Sequence, residues 1–280
     1  MMRFGSRLAA AMDANGPLCF GIDPHPGLLD SWGLTDDADG LAAFVDIALS
    51  AFAGTGAAIK PQSAFFERHG SKGIAVLERL LADARSAGVL TILDVKRGDI
   101  GSTMAAYAEA YLMEGSPLAA DAMTVSPYLG AGSLAPAFEL AERTHRGLFV
   151  LCLTSNPEGP GVQHARTDGR SVAAQVAEAV AARNTSAPSL GSVGLVLGAT
   201  IGSAVADLEI DLRAVRGPLL APGIGAQGAT AKELVEVFGD ARSQVLASTS
   251  RDVLWQGPDR DSLRSAAERT RDEITRALRG

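Results

Sequence analysis

Short runs of consecutive apolar residues recur along the chain at the spacing of a βα unit, which is about 30 residues. Eight runs can be counted, at 17–23, 56–60, 88–96, 121–127, 147–155, 193–200, 217–223 and 244–248. Their apolar residues are consecutive rather than alternating, which is typical of parallel strands covered on both faces. The pattern therefore predicts eight parallel strands.

The segments between the runs carry helical periodicity, most clearly at 73–88, 170–184 and 230–240. In the last of these, Thr230 precedes Glu233 by three residues, the spacing of a capping box. Eight βα units in about 250 residues predict a single (β/α)8 barrel, and we treat residues 1–280 as one domain. A doubly wound sheet is the alternative, although it more often has fewer strands.

Two stretches lack regular periodicity, at 23–40 and 155–169. Both follow predicted strands. In a barrel they would lie at the carboxyl ends of the strands, where the loops carry the chemistry.

Charged and polar residues stand where the apolar runs end. Asp23 and Lys60 close two of the runs, Asp94 and Lys96 lie at the end of a third, and Arg251 follows a fourth. The carboxyl ends of barrel strands converge on one rim, so these side chains are predicted to meet there. We interpret the acids and lysines as a functional set; the alternative is a scatter of solvated loop charges.

A glycine-rich loop at 222–228 follows the seventh run and contains Gly-x-Gly-x-x-Gly. Its position argues against a dinucleotide fingerprint, which belongs to a first βα turn. In a barrel the loops after strands 7 and 8 form a standard phosphate site. We therefore predict that Gly223, Gly225 and Gln227 bind a phosphate together with Arg251, although a plain tight turn is the simpler reading of the loop alone.

Composition narrows the choice of function and location. The 280 residues are 47% apolar and carry a formal net charge of −7, which argues against nucleic-acid binding because that requires a basic face. No apolar run approaches the roughly 18 residues of a membrane span, and Asp13 interrupts the short apolar start. Cys19 and Cys152 lie within apolar runs and are expected to be reduced core residues. We expect a cytoplasmic protein.

The four histidines show no metal-ligand spacing. His25 lies near the predicted rim and could contact a ligand, although a loop histidine is more often ordinary polar surface. No metal site is predicted from these residues.

Lined up in this order, the strand ends resemble those of the orotidine 5′-phosphate decarboxylase family over essentially the whole chain. The most specific stretch is LDVKRGDIGST at 93–103, which fits the family's Asp-x-Lys-x-x-Asp-Ile-x-x-Thr signature. GIDP, IKPQSAFFE, TSNP, PGIGAQG and the strand-8 arginine support it. The long loops resemble the larger bacterial branch of the family.

The resemblance implies decarboxylation of orotidine 5′-phosphate to UMP and carbon dioxide, the last step of de novo UMP synthesis, by a homodimer without metal or organic cofactor. Asp99, Ile100 and Thr103 would be donated across the dimer interface. Asp23, Lys60, Asp94 and Lys96 would stay in their own subunit's site.

Loss of carbon dioxide leaves a carbanion at C6 of the pyrimidine, so a fixed cation and a proton donor are needed at the same point. Lys96 is expected to supply both, held by Asp94 and Asp99.

The remaining roles implied by the resemblance are ribose contacts for Asp23, Lys60 and Thr103, a pyrimidine contact for Ser155, substrate contacts for Ile100 and Pro222, a bridge from phosphate to base for Gln227, and a phosphate clamp for Arg251.

Two other functions remain open. Related barrels that act on sugar phosphates, such as 3-keto-L-gulonate 6-phosphate decarboxylase and hexulose phosphate synthase, keep Asp-x-Lys-x-x-Asp but use magnesium and an extra acid, usually on strand 2. Here strand 2 ends in Lys60, and the nearest acid is Glu67. A non-catalytic nucleotide sensor on the same barrel would bind UMP without turnover.

Overall fold

The eight apolar runs form one closed barrel of parallel strands in the computed structural model, which describes residues 2–187, 189–225 and 229–280. The strands are β1 (Leu18–Ile22), β2 (Ala58–Pro61), β3 (Leu90–Arg97), β4 (Ala122–Val125), β5 (Gly147–Leu153), β6 (Val193–Leu197), β7 (Leu219–Pro222) and β8 (Val245–Thr249). Each strand pairs with the next along the chain, and β8 closes on β1. The predicted (β/α)8 barrel is confirmed.

Helices occupy the segments between the strands and also precede β1 and follow β8. They are α1 (Phe4–Asn15), α2 (Pro26–Ser31), α3 (Ala38–Phe52), α4 (Ala64–Glu67), α5 (Gly70–Ser86), α6 (Gly101–Leu112), α7 (Ala135–Arg143), α8 (Pro160–Gln163), α9 (Val172–Arg183), α10 (Ala204–Asp207), α11 (Ala231–Phe238), α12 (Arg251–Leu254) and α13 (Arg260–Arg279), with 3-10 turns at Ala131–Leu134 and Gly239–Gln244. The capping box is confirmed: Thr230 and Glu233 each accept the other's backbone N–H through their side chains.

The interior of the barrel is filled by one buried residue from each strand. These residues are Cys19, Ala58, Ile92, Ala122, Phe149, Val196, Leu220 and Leu246. Phe4, Leu8 and Met12 of α1 cap this layer from the amino-terminal end of the strands. Gly147 makes room for the cap, since a Cβ there would lie 2.1 Å from the Phe4 ring. The barrel is therefore packed shut at one end and can open only at the other.

The two stretches that lacked periodicity contain short elements. The first holds α2, and the second holds α8 and the first strand of a small antiparallel hairpin, in which Arg166–Thr167 pairs with Arg170–Ser171 just beyond the stretch. Pro26 and Pro160 begin α2 and α8, the helix position that proline favours. Elements this short span too few residues to show a period, so the pattern analysis missed them.

Both cysteines are free and buried. Burial raises the pKa of each thiol to about 12, so neither is a reactive thiolate near neutral pH. Among the described helices, none has the length and apolar character needed to cross a bilayer.

Candidate active site

A cavity of about 540 Å³ lies at the carboxyl ends of the strands. The structure brings eight of the predicted site residues to its wall: Asp23, Lys60, Asp94, Lys96, Ser155, Pro222, Gly223 and Arg251. Leu151, Val196 and Leu220 add apolar surface. The cavity thus combines charged groups with an apolar lining, the usual composition of a small-molecule site.

Asp94 is the centre of a charged network on this wall. Its Oδ2 accepts a hydrogen bond from Lys60 Nζ at 2.9 Å, and its Oδ1 accepts one from Lys96 Nζ at 2.5 Å. Thr124 Oγ1 donates a third bond to Oδ1 at 2.8 Å. One carboxylate therefore orients two ammonium groups.

The two lysines differ in exposure. The side chains of Lys60 and Asp94 are each 8% exposed, whereas that of Lys96 is 45% exposed. Lys60 and Asp94 form a buried ion pair. Lys96 is bound to the same carboxylate, but its side chain is accessible from the cavity. Of the two ammonium groups, that of Lys96 can approach a bound molecule most freely.

Charge pairing outweighs burial in setting the protonation of this network. Burial alone would raise the pKa of Asp94, but the charges and hydrogen bonds of Lys60 and Lys96 hold it well below its usual range. Burial would lower the pKa of Lys60, but Asp94 and then Asp23 raise it above its ordinary value. Both groups are therefore charged at neutral pH.

The backbone at Lys96 has an unusual conformation. Its φ is 44°, in the left-handed region that residues with a Cβ rarely adopt. The pairing of β3 with β4 also shifts register between Leu93 and Arg97. The end of β3 is thus an irregular segment that carries both Asp94 and Lys96.

The predicted phosphate loop lies across the cavity wall formed by β7 and β8. Pro222, Gly223 and Arg251 line the cavity, and Arg251 is the first residue of α12. Gly225 has a φ of 73°, and a Cβ there would lie 1.4 Å from Asp252 Oδ2, so only glycine fits. The predicted Gln227 lies outside the described residues.

Asp23 and His25 follow β1 into the same cavity. Asp23 Oδ1 is buried and has no hydrogen-bond partner among the described residues. An unpartnered buried carboxylate oxygen at a cavity wall can accept a hydrogen bond from a hydroxyl group of a bound molecule. Of the two alternatives for His25, the structure favours a residue that can contact a ligand, since His25 lines the cavity. Its ring packs edge-on against Phe65 at 4.1 Å, and burial lowers its pKa.

Ser155 is the second residue of the loop after β5. The first residue, Thr154, is held by Gln163 of α8. The Gln163 side chain accepts from the Thr154 backbone N–H at 2.9 Å and donates to Thr154 Oγ1 at 2.7 Å. This clamp sets the direction in which Ser155 leaves the strand.

Asp99, Ile100 and Thr103 do not line the cavity of their own chain. Asp99 Oδ1 accepts the Ile100 backbone N–H at 2.8 Å. The Ile100 side chain is 63% exposed, and Thr103 is exposed on the first turns of α6. Asp99 is only partly exposed.

The sequence analysis missed two cavity residues that hydrogen-bond to Asp94. Thr124 and Gln62 line the cavity, and Gln62 Nε2 donates to the Asp94 backbone carbonyl at 3.3 Å. The signal for Gln62 was its place two residues after Lys60 at a strand end. Thr124 lies inside an apolar run, where threonine is an ordinary strand residue, so no signal marked it.

Glu67, the acid nearest strand 2, is engaged away from the cavity. It accepts from Ser63 Oγ at 2.6 Å and from Arg97 at 2.7 Å. Within residues 2–187, 189–225 and 229–280, no cluster of three or more His, Cys, Asp or Glu side chains could hold a metal ion.

The fold and the cavity define a (β/α)8-barrel enzyme whose charged groups converge at the carboxyl rim. A sequence model of the orotidine 5'-phosphate decarboxylase / HUMPS family matches residues 16–263. The chain belongs to this family.

Individual relatives agree over the full length. An orotidine 5'-phosphate decarboxylase of Salinispora arenicola is 57% identical over 281 residues, covering 100% of both chains. One from Streptomyces coelicolor is 56% identical over 279 residues, covering 99% of both. The structure of Leishmania donovani OMP decarboxylase is 31% identical, with a TM-score of 0.79 and 100% coverage of both chains.

Proposed function

We propose that the protein converts orotidine 5′-phosphate to UMP and carbon dioxide, the last step of de novo UMP synthesis. Membership of the family supports the substrate. The observation that carries the proposal is the Lys96 ammonium, held 2.5 Å from Asp94 at the wall of the cavity. Asp94 and Lys96 occupy the Asp-x-Lys positions of the family signature.

Lys96 supplies the chemistry. When the bond from C6 to the carboxylate breaks, its electron pair stays on C6 as carbon dioxide leaves. The Lys96 ammonium stabilises that developing charge and then transfers a proton from Nζ to C6. The resulting neutral amine regains its proton from water, so the cycle needs no redox partner.

Asp94 keeps that ammonium in place and adds a smaller effect. It would also lie near the substrate carboxylate, and two like charges about 4 Å apart repel by about 4 kcal/mol at an effective dielectric near 20. The repulsion ends once neutral carbon dioxide has formed. We rank stabilisation by Lys96 above this ground-state effect, because the chemical step responds to interactions that strengthen in the transition state.

The remaining cavity residues bind the rest of the substrate. The unpartnered Oδ1 of Asp23 accepts a hydrogen bond from a ribose hydroxyl. Lys60 contacts the ribose as well and keeps its hydrogen bond to Asp94. Ser155 contacts the pyrimidine edge. Pro222, Gly223 and Arg251, which line the cavity, contact the phosphate together with Gly225 of the same loop. The role proposed for Gln227, a bridge from phosphate to base, rests on the family resemblance alone.

The active form would be a homodimer, in which Asp99, Ile100 and Thr103 enter the partner's cavity. Their absence from the cavity of their own chain supports this, and the Ile100 side chain is 63% exposed. Tyr128 and Leu129, which follow β4, are also exposed, and exposed apolar groups of this kind mark interfaces. Sedimentation of wild type and Ile100→Asp tests the dimer: the variant should shift toward monomer, and a monomeric wild type would contradict it.

The whole chain would work as one cytoplasmic domain, without a metal. The engagement of Glu67 with Arg97 and Ser63 removes the acid that the magnesium-dependent sugar-phosphate enzymes would need near strand 2.

The test is an absorbance assay with orotidine 5′-phosphate in excess EDTA. Conversion by wild type and its loss in Lys96→Ala would support a metal-free decarboxylase centred on the lysine. Activity only on a sugar phosphate with added magnesium would contradict the proposed substrate. Binding of UMP without turnover would instead indicate a sensor.

A further inference from the structure

The irregular end of β3 places three residues opposite one residue of β4. Leu93 is paired with Met123 and Arg97 with Val125, so residues 94–96 lie opposite Thr124 alone. Such a bulge disturbs the regular ladder of backbone hydrogen bonds. The buried amides at this point therefore need other acceptors.

The side chain of Thr124 provides them. Its Oγ1 accepts the backbone N–H of Val95 at 3.0 Å and that of Lys96 at 2.9 Å. The same oxygen donates to Asp94 Oδ1 at 2.8 Å. Thr124 is 1% exposed, so water does not substitute for these bonds.

These three bonds use the full capacity of a hydroxyl group. A hydroxyl has one proton to donate and two lone pairs to accept with. Because both lone pairs receive backbone N–H groups, the proton can point only at Asp94. The hydroxyl thus couples the backbone of Lys96 to the orientation of the carboxylate that holds its ammonium.

Strain at Lys96 makes such a constraint necessary. A lysine with a φ of 44° persists only when its surroundings hold it there. Without the hydroxyl, the amides of Val95 and Lys96 would lose a buried acceptor, and Asp94 would lose a donor.

We infer that Thr124 is a positioning residue for the reaction: its hydroxyl holds the bulge and thereby positions Lys96 and Asp94 relative to the substrate. The inference rests on the proposed function. Thr124 also lines the cavity, but its polar atom is fully occupied by the protein, so it acts through Asp94 and Lys96 and not as a ligand for substrate.

The test compares Thr124→Val, which keeps the shape and removes the hydroxyl, with Thr124→Ser, which keeps the hydroxyl. Small misplacement of catalytic groups costs about 100-fold in rate, so Thr124→Val should lower kcat by about that factor. KM should change by less than about threefold, because the ribose and phosphate contacts are intact. Thr124→Ser should recover most of kcat.

The chain offers a matched control at the other end of the same strand pair. Thr91 of β3 is also buried, and its Oγ1 donates to Asp121 at 3.2 Å and accepts the Asp121 backbone N–H at 3.1 Å. Thr91→Val should lower the thermal midpoint while leaving kcat unchanged. Equal loss of kcat in both valine variants, or turnover of Thr124→Val within threefold of wild type, would overturn the inference.

Hydrogen exchange separates this inference from the proposed function. Exchange at the Val95 and Lys96 amides should speed up in Thr124→Val and stay slow in Thr124→Ser and Thr91→Val, whatever the substrate is. If wild type fails to convert orotidine 5′-phosphate, the proposed function fails, whereas these rates still report on the bulge. Unchanged exchange in Thr124→Val would overturn the role of the hydroxyl independently of any activity.

Discussion

The two ends of the barrel hold a carboxylate in the same way and put it to different use. At the carboxyl end, Asp94 of β3 accepts from Thr124 of β4. At the amino end, Asp121, just before β4, accepts from the side chain and backbone N–H of Thr91 on β3. In both places an aspartate and a threonine from the same two strands are joined.

The difference lies in the cations and in access. Asp121 is paired with Arg7 of α1, the helix that seals the barrel. Asp94 is paired with two lysines, and one of them extends into the cavity. Asp121, at the sealed end, is paired with one cation, whereas Asp94 is paired with two, and the second of them is accessible to a bound molecule.

The proposed difference between the two ends would be wrong if replacing Lys96 affected turnover as little as replacing Arg7. In the proposed reaction Lys96→Ala removes the cation and the proton donor together, so we expect kcat to fall by roughly 10⁴-fold. Rapid-quench or absorbance assays at saturating substrate would measure it. Arg7→Met is the control at the other end, and its kcat should equal that of wild type. Turnover of Lys96→Ala within tenfold of wild type would contradict the role of the lysine.

Asp94→Asn should have the second-largest effect, because it removes the carboxylate that is paired with the buried Lys60 ammonium. Breaking a buried pair in this way costs about 3–5 kcal/mol in the free energy of unfolding. Urea unfolding measures that cost. A loss below about 1 kcal/mol would show that the pair is as weak as a surface ion pair.

The pKa shifts set the pH range of that effect. Because the pKa of Asp94 is lowered, its stabilisation is complete above about pH 4 and is lost as the pH falls through the lowered value. Because the pKa of Lys60 is raised, its stabilisation is complete below about pH 10 and is lost as the pH rises through the raised value. The destabilisation by Asp94→Asn should therefore be equal at pH 6 and pH 8, and a change between them would contradict this assignment.

The sequence predicted the carboxyl end of the barrel far better than the amino end. Apolar runs predict strands, and in a parallel barrel every strand end reaches the same rim, so Asp23, Lys60, Asp94 and Lys96 could be placed together in advance. The Asp121–Arg7 pair joins residues far apart in the chain and matches no motif. Thr124 was missed because its function depends on a bulge, which strand periodicity does not reveal.

A third variant asks whether a rim cation outside the Asp94 network also contributes to the reaction. Arg251→Ala should cost about 2 kcal/mol of transition-state stabilisation, the usual value of a hydrogen bond to a charged group. This is roughly 30-fold in kcat/KM. Part of the loss should appear in kcat, since phosphate binding helps to organise the site. Steady-state kinetics measures both constants.

Arg279→Ala is the matched control for that variant. Arg279 lies at the end of α13 and pairs with Asp13 at 3.1 Å, away from the cavity. Its kinetic constants should equal those of wild type. If Arg251→Ala also left kcat/KM unchanged, the loop after β8 would not bind the phosphate.

The smallest expected effect belongs to Asp121→Asn, which keeps the shape and removes the charge at the sealed end. Asp121 and Arg7 are partly exposed, so water offsets much of the lost attraction, and the free energy of unfolding should fall by only about 1 kcal/mol. Urea unfolding and steady-state kinetics on the same preparation would measure both properties. Unchanged kcat with this modest loss of stability would show that one Asp–Thr arrangement seals the barrel and the other serves the reaction. A large loss of kcat would mean instead that α1 is coupled to the cavity through the interior layer of the barrel.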